Sequence, residues 1–400
     1  MSASVTRRQT VNVWRIACRG PGDLSGVQAL IEAGELVPSD IVAVMGKTEG
    51  NGCVNDFTRE YASATWCQLL APLLGCLPEQ VHERVALVMS GGTEGVLTPH
   101  FTVFTRHWLT PGEAADATAL DSKRLVIGIA WTRDFLPEEL GGDMQIEETR
   151  QATLAAMRDA GITDSADVHF VQVKCPLLTA AKIGDALARG KSPATRDSYE
   201  SMGYSRGASA LGVALALGEL SPGQVAASAV LNDWSLYSAR ASASAGIELE
   251  GNVVIVLGEA ATSLSAFRIA HTVMRDAIDA DAVQKLLIGM FDSFSGHGVG
   301  AESVQVVNLL AKAEASPDGL VRGMRHTMLN DSDIHATRHA RAVVGAVLAG
   351  ITGQTELYVS GGAEHQGPAG GGPVAAILRI GAALNPLAQT RTAFADRSKN

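Results

Sequence analysis

Positive charge is in short supply in this chain. Lysine and arginine total 32 against 42 aspartates and glutamates, a formal net charge of −10. Non-specific nucleic-acid binding needs clustered cations that displace counterions, and docking on anionic lipid needs the same, so the balance argues against both. Long apolar runs are also missing. No window reaches the roughly 18 apolar residues that span a bilayer. Arg7, Arg8 and Arg15 have no continuous apolar stretch behind them, so the N-terminal segment does not read as a secretory signal. Cysteine is limited to Cys18, Cys53, Cys67, Cys76 and Cys175, with no C-x-x-C spacing. An odd, scattered set fits a reduced, cytoplasmic protein whose thiols are bystanders.

What is present is small and apolar. Apolar residues make up 46% of the chain, and 42 of its 400 residues are glycine. That composition is globular and suits tightly packed α/β structure. At roughly 100–200 residues per domain, the length predicts two to four domains.

Internal repetition narrows this to three. A β-branched run at residues 41–45 ends at Gly46-Lys47, Arg59 follows, and a second run at 85–89 ends at Ser90-Gly91-Gly92. The order recurs as residues 170–173 ending at Lys174, then Arg206, then Ser244-Ala245-Gly246, with a strong strand candidate at 253–257. It recurs again as residues 306–311 ending at Lys312, then Arg338, then Ser360-Gly361-Gly362. The Lys-to-Ser separations are 43, 70 and 48 residues, which reads as a triplication with insertions. The short runs read as buried strands, and the Ala-rich stretches 207–217 and 339–349 as helices. The predicted fold is therefore α/β, with units at residues 1–112, 113–259 and 260–400. The polar stretch 110–122 reads as a linker, 258–263 as a second boundary, and the tail 390–400 as frayed.

The recurring trio carries chemistry. A serine hydroxyl is a poor nucleophile until a base takes its proton. Lysine is such a base when burial or neighbouring positive charge keeps its amine neutral. Glycines after the serine let a ligand approach the backbone and its N–H groups. One Ser-Gly-Gly is usually only a turn; packing alone does not require the same polar trio three times.

Other features are decoys or ambiguous. Gly46-Lys47-Thr48 looks like the end of a P-loop, but position 41 is Ile41 where the motif needs glycine. His335 and His339 are spaced i, i+4 without the glutamate of a zinc-protease helix. The glycine-rich stretch 361–373 reads equally as a flexible linker or as a loop whose carbonyls wrap a hard cation, with Glu314 as the nearby carboxylate.

The motifs Gly46-Lys47-Thr48-Glu49-Gly50-Asn51-Gly52, Ser90-Gly91-Gly92-Thr93-Glu94, Gly203-Tyr204-Ser205-Arg206-Gly207 and Ser360-Gly361-Gly362-Ala363-Glu364-His365-Gln366-Gly367-Pro368 resemble the cyanuric acid amidohydrolase/barbiturase family of ring-opening amidohydrolases, over nearly the whole chain. The resemblance implies three similar α/β domains related by pseudo-threefold symmetry around one central active site. It implies Ser244 as nucleophile and Lys174 as its base. Substrate contacts would come from Lys47, Arg59, Ser90, Gly91, Arg206, Ala245, Lys312, Ser360 and Gly361, with Arg338 and Arg341 both retained for the third unit. A structural divalent cation, Mg²⁺ or Ca²⁺, would map to Glu314, Ala363, Gln366, Gly367, Pro368 and Gly371, and no organic cofactor is implied. The expected partners are a small-molecule substrate and further copies of the chain in a homotetramer.

The implied reaction is hydrolytic opening of cyanuric acid to carboxybiuret, then biuret and CO₂, within s-triazine degradation. Opening of barbituric acid to ureidomalonate is the alternative that shares the motifs. A threefold anion-binding protein without turnover and a lysine Schiff-base enzyme are the readings from other classes; three intact lysines count against the first.

Overall fold

The structure is a computed structural model and describes residues 7–116, 120–295 and 304–380. The tail at 390–400 lies outside the described residues. The first unit runs β1 (Gln9–Ala17), α1 (Ser25–Glu32), β2 (Ile41–Thr48), α2 (Phe57–Leu74), β3 (Ala86–Gly91) and β4 (His100–Trp108). A short helix, α3 (Pro111–Asp116), precedes the second unit. That unit is β5 (Arg124–Trp131), α4 (Asp143–Ala160), β6 (Val168–Pro176), α5 (Ala180–Ala188), α6 (Ser198–Ala216), β7 (Ala241–Gly246) and β8 (Val253–Ala260). The third is β9 (Phe267–Met274), α7 (Ala280–Ser295), β10 (Val304–Ala313), a small hairpin of β11 (Leu320–Val321) and β12 (Met324–Arg325), α8 (Ala336–Thr352), β13 (Tyr358–Gly361) and β14 (Gly372–Ile380).

The three four-stranded sheets share one topology. Their orders are β1-β4-β2-β3, β5-β8-β6-β7 and β9-β14-β10-β13, so each unit places its strands first, fourth, second, third. The second and third strands pair in parallel, and the other neighbours are antiparallel. A parallel pair needs a crossover, which α2, α6 and α8 supply. Each second strand also shifts register against the fourth near its start, at Ile41/Ala43, Val168/Phe170 and Val306/Asn308. A repeated bulge is a repeated structural feature, so the triplication extends to backbone detail.

The sheets are buried on both faces, which is why their strands read as continuous apolar runs. Inner faces meet in a central core with Val11 and Val13 from β1, Leu125 and Ile127 from β5, and Phe267 and Ile269 from β9. Outer faces pack on each unit's helices, as Trp66 and Leu70 of α2 do in the first unit. Truncating one of the large central side chains to alanine costs about 2–5 kcal/mol. Among the described residues no helix is long and apolar enough to cross a membrane.

Three local features add detail. The strand following Arg206 is β7, whose Ala-Ser-Ala-Ser-Ala-Gly sequence has little strand propensity but is wholly buried. The segment 110–122 holds α3 within what reads as a linker. Gly258 lies inside β8, and the chain leaves that sheet only after Ala260.

Candidate active site

The shared topology brings each lysine beside its serine. Lys47 at the end of β2 is the direct register partner of Ser90 on β3. Lys174 faces Ser244 in the same way, and Lys312 faces Ser360. The three strand-pair ends converge on one cavity. Its walls hold Ser90, Ser244 and Ser360, the following residues Gly91, Ala245 and Gly361, and the arginines Arg59, Arg206 and Arg341. Lys174, Gly52 and Met202 complete the lining. Lys47 and Lys312 lie behind the serines, at 0% and 1% exposure.

The lysine environments differ. Lys47 donates to Ser90 Oγ and to the Gly91 carbonyl, each at 3.2 Å. Lys312 donates to Ser360 Oγ at 3.3 Å, to the Gly361 carbonyl at 3.0 Å, and across the unit boundary to the Ala243 carbonyl at 2.7 Å. Lys174 donates to the Met89 carbonyl of the first unit at 2.7 Å and meets the Glu248 carboxylate at 2.9 Å. Its Nζ is not hydrogen-bonded to Ser244, whose Oγ accepts a long bond of 3.4 Å from Gln172. Ser90 donates to Ser360 at 3.2 Å.

Burial pulls all three amines below the ordinary lysine value. Lys47 falls well below it, helped by Arg341. Lys312 falls to about 7, helped by Arg206. Lys174 is lowered by burial and Arg59 but held up by Glu248.

The arginines sit on helices and reach across unit boundaries. Arg206 of α6 grips Glu364 of the third unit at 2.6 and 2.7 Å. Arg341 of α8 grips Glu94 of the first unit at 2.6 and 2.7 Å. Arg59 of α2 turns its fork to the Ala245 carbonyl at 3.3 Å and the Cys53 carbonyl at 2.9 Å, with Nε 3.8 Å from Glu248. Of the two third-unit candidates, Arg341 faces the cavity. Arg338, one turn away, is 40% exposed and only supports Glu94 at 3.2 Å. Of the two arginines retained for the third unit, Arg341 lines the cavity and Arg338 does not.

Sequence reasoning missed the three glutamates. Glu94, Glu248 and Glu364 each stand four residues after the serine of their unit, so the repeat itself carried the signal. Met202 and Gly52 have no such signal.

The sequence profile described as "Amidohydrolase ring-opening protein" matches residues 12–379. The chain belongs to this family. A relative from Pseudomonas sp. (strain ADP), called cyanuric acid amidohydrolase, is 60% identical over 369 residues, 92% of this chain and 99% of that protein. One of the same name from Bradyrhizobium diazoefficiens is 59% identical over 377 residues, covering 94% and 99% of the two chains. A solved structure described as a cyanuric acid hydrolase, an evolutionary innovation by structural concatenation, superposes with a TM-score of 0.87 at 58% identity, covering 93% of this chain and 100% of that one. The three-unit architecture of this ring-opening amidohydrolase is thus a shared one, and the chain is an enzyme that hydrolyses a cyclic amide.

The second unit of this amidohydrolase differs at one methyl group for a steric reason. A Cβ at Gly91 would lie 1.7 Å from Asp56 Oδ2, and one at Gly361 2.3 Å from Thr337 Cγ2. Ala245 meets neither obstacle and carries its methyl into the cavity wall.

The residues expected to hold a cation surround the loop between β13 and β14. Glu314 accepts main-chain bonds from Ala315 at 3.0 Å and Ala363 at 2.8 Å. Burial and the neighbouring Glu364 push its carboxyl up to about 7. Gln366 accepts from the Ala243 amide at 2.7 Å, and Gly367 donates to the Ser238 carbonyl at 2.9 Å, so the loop is clamped beside β7. Gly371 donates to the Pro368 carbonyl at 2.9 Å. Among the described residues no three His, Cys, Asp or Glu side chains cluster as metal ligands. A cation here would rely on one carboxylate and on carbonyl oxygens. That donor set is all hard oxygen and fits Mg²⁺ or Ca²⁺.

The decoys resolve simply. Gly46-Lys47-Thr48 ends strand β2 and forms no phosphate loop. His335 caps α8 and bonds Tyr199, while His339 pairs with Asp331 at 2.9 Å. All five cysteines are free, and Cys53 and Cys76 are half-buried.

Proposed function

We propose that this enzyme is a cyanuric acid amidohydrolase, with Ser244 as nucleophile and Lys174 as its base. One observation carries the reading: three serines and three arginines, one of each per unit, line a single cavity. Cyanuric acid is a threefold ring of alternating carbonyl and N–H groups, so each unit can address one carbonyl. The names of the relatives at 60% and 59% identity support the substrate.

Lys174, neutral, takes the proton of Ser244, and Ser244 Oγ bonds to a ring carbonyl carbon. The oxyanion is held by the arginines and turn N–H groups in a water-poor cavity, where such contacts are strong. The ring C–N bond breaks, and the leaving nitrogen takes the proton from Lys174. Water, activated by the same amine, releases carboxybiuret, which loses CO₂ to give biuret. Ser90 and Ser360, each backed by a lysine, bind the two other carbonyls. A hard divalent cation held by Glu314 and by oxygens of Ala363, Gln366, Gly367, Pro368 and Gly371 would neutralise the buried acid and stiffen the loop carrying Glu364; elemental analysis of purified protein tests this. The reaction belongs to s-triazine degradation. Free thiols support a cytoplasmic location, and the family resemblance supports a homotetramer, which light scattering tests.

The deciding experiment offers cyanuric acid and barbituric acid separately, following ultraviolet absorbance and product mass. Biuret from cyanuric acid with barbituric acid untouched is expected. Ureidomalonate from barbituric acid alone would move the assignment to barbiturase. Binding without turnover of either would overturn the hydrolytic reading.

A further inference from the structure

The three-part ring of ion pairs is broken at one place, beside the proposed base. Glu94 and Glu364 each have both oxygens bound by a guanidinium. Glu248 does not. Its Oε1 meets Lys174 at 2.9 Å, while its Oε2 has no hydrogen-bond partner. Arg59 approaches that oxygen with its Nε 3.8 Å away, and this Nε is itself without a hydrogen-bond partner. Arg59 has given its fork to two main-chain carbonyls instead. Among the described residues, Lys174 is also the one lysine of the three with a carboxylate in contact. The second unit alone therefore joins lysine to acid.

We infer that Glu248 is a positioning residue that stores the Lys174 proton, so that Lys174 enters the reaction as a neutral amine without releasing that proton to water. The inference rests on the assignment of Lys174 as base. The proton balance is closed. The Lys174 N–H bond breaks, an O–H bond forms on Glu248, and the freed nitrogen lone pair takes the Ser244 hydroxyl proton as Oγ bonds to carbon.

The physical basis is the weak hold on Glu248. A carboxylate with two charge-assisted bonds on a guanidinium is strongly stabilised as an anion; one with a single ammonium and a bare second oxygen is much less so. Burial is the largest influence on both partners and pushes each towards its neutral form, the amine down and the acid up. Against this, the ion pair keeps Glu248 below the usual carboxylate range. Filling the cavity with an uncharged ring removes water from the pair and favours its neutral form further. The other groups facing the pair are Arg59 from α2, Cys175 from β6, Arg206 from α6 across the cavity, and His82 from the turn before β3. The two arginines oppose a charged lysine without supplying an acceptor for its proton.

The test is the pH dependence of kcat with cyanuric acid for wild type, Glu248→Gln and Glu248→Asp. With an internal acceptor, the wild-type acid limb reports the carboxyl and lies far below the lysine range. Glu248→Gln removes the acceptor, so the limb must report Lys174 itself and moves up by about one pH unit or more. Glu248→Asp keeps an acid, and with it the limb, while kcat falls about tenfold from the longer contact. If Glu248 were a counter-ion only, its loss would lower the Lys174 value and move the limb down. A downward or absent shift in Glu248→Gln, or a displaced limb in Glu248→Asp, overturns the inference; if the glutamine variant does not fold, the wild-type limb decides, because a limb in the lysine range overturns the inference. Ser244→Ala and Lys174→Ala, measured alongside, separate the two levels. Turnover surviving in them overturns the dyad itself, whereas turnover lost in them with an unmoved Glu248→Gln limb overturns only the role of Glu248.

Discussion

Arg206 and Glu364 belong to different units and hold each other by two parallel bonds, Nε to Oε2 at 2.7 Å and Nη2 to Oε1 at 2.6 Å. Arg341 and Glu94 repeat the arrangement from the third unit back to the first. Arg59 approaches Glu248 from the first unit to the second. Each unit thus points an arginine at the next around the cavity that the arginines line, and the Arg59–Glu248 link is the one left open. A planar guanidinium matches a carboxylate in two bonds, so these pairs fix orientation as well as charge.

Removing one partner exposes what such a pair does. Arg206→Ala leaves Glu364 largely buried without its two donors and should cost about 3–5 kcal/mol in urea unfolding. Arg206→Lys keeps the charge but not the fork and should fall between that variant and wild type. A loss below about 1 kcal/mol for the alanine variant would mean the ring does not hold the units together.

The three serines should separate in steady-state kinetics with cyanuric acid. Ser244→Ala should lower kcat by about 10³-fold or more, as loss of a nucleophile does. Ser90→Ala and Ser360→Ala should act mainly on KM, because their hydroxyls bind carbonyls in both ground and transition states. If one of those two abolishes turnover while Ser244→Ala does not, the nucleophile lies in another unit.

The two third-unit arginines give a sharper contrast. Arg341 is 3% exposed and holds Glu94 by two bonds, whereas Arg338 is 40% exposed with one. Arg341→Ala should raise KM and lower kcat together. Arg338→Ala should change stability by no more than about 1 kcal/mol, as for exposed ion pairs, and leave kinetics nearly intact.

Acid should destabilise the fold through three neutral histidines. Burial lowers His100 to about 3, His169 to about 3 and His271 to about 4. His169 and His271 also share a hydrogen bond between their Nδ1 atoms at 2.9 Å, which requires that at least one of the two rings be neutral to accept it. An unfolded imidazole takes up a proton near pH 6.5. Between about 6.5 and these native values, the unfolded state binds more protons, so stability falls as pH falls. Each histidine should contribute up to about 1.4 kcal/mol per pH unit in that window. Urea unfolding at a series of pH values reads the slope, and His271→Gln should reduce it by about one proton; an unchanged slope would mean His271 is charged in the folded protein.

Gly91→Ala should be poorly tolerated, since its Cβ would fall 1.7 Å from Asp56 Oδ2. Asp56 caps α2 through the Thr58 amide and also accepts from the Gly52 amide at 2.8 Å, so the clash reaches the cavity wall. Overpacking of this kind costs about 1–3 kcal/mol. The reverse change, Ala245→Gly, should cost about 1 kcal/mol or less. Equal melting temperatures for the two variants would contradict this steric account.

Much of the architecture was readable along the chain. The runs ending at Lys47, Lys174 and Lys312 became the second strand of each sheet because apolar β-branched residues buried on both faces have few other solutions. Strand β7 was hidden, because Ala and Ser carry no strand signal and only burial between neighbours makes them one. The glutamates were hidden differently: Glu94 and Glu364 look like surface charges until an arginine from another unit reaches them.

By itself the sequence determined three α/β units and one lysine, arginine and serine in each, because hydrophobic patterning and repeat order are local properties of the chain. Only the tertiary structure decided that Arg341, and not Arg338, faces the cavity, that each arginine reaches across a unit boundary, and that of Glu94, Glu248 and Glu364 only Glu248 is in contact with a lysine. Arg206 and Glu364 are 158 residues apart, and Arg341 and Glu94 are 247 apart. Contacts at such separations are set by how the units pack on their common core, and no periodicity along the chain encodes them.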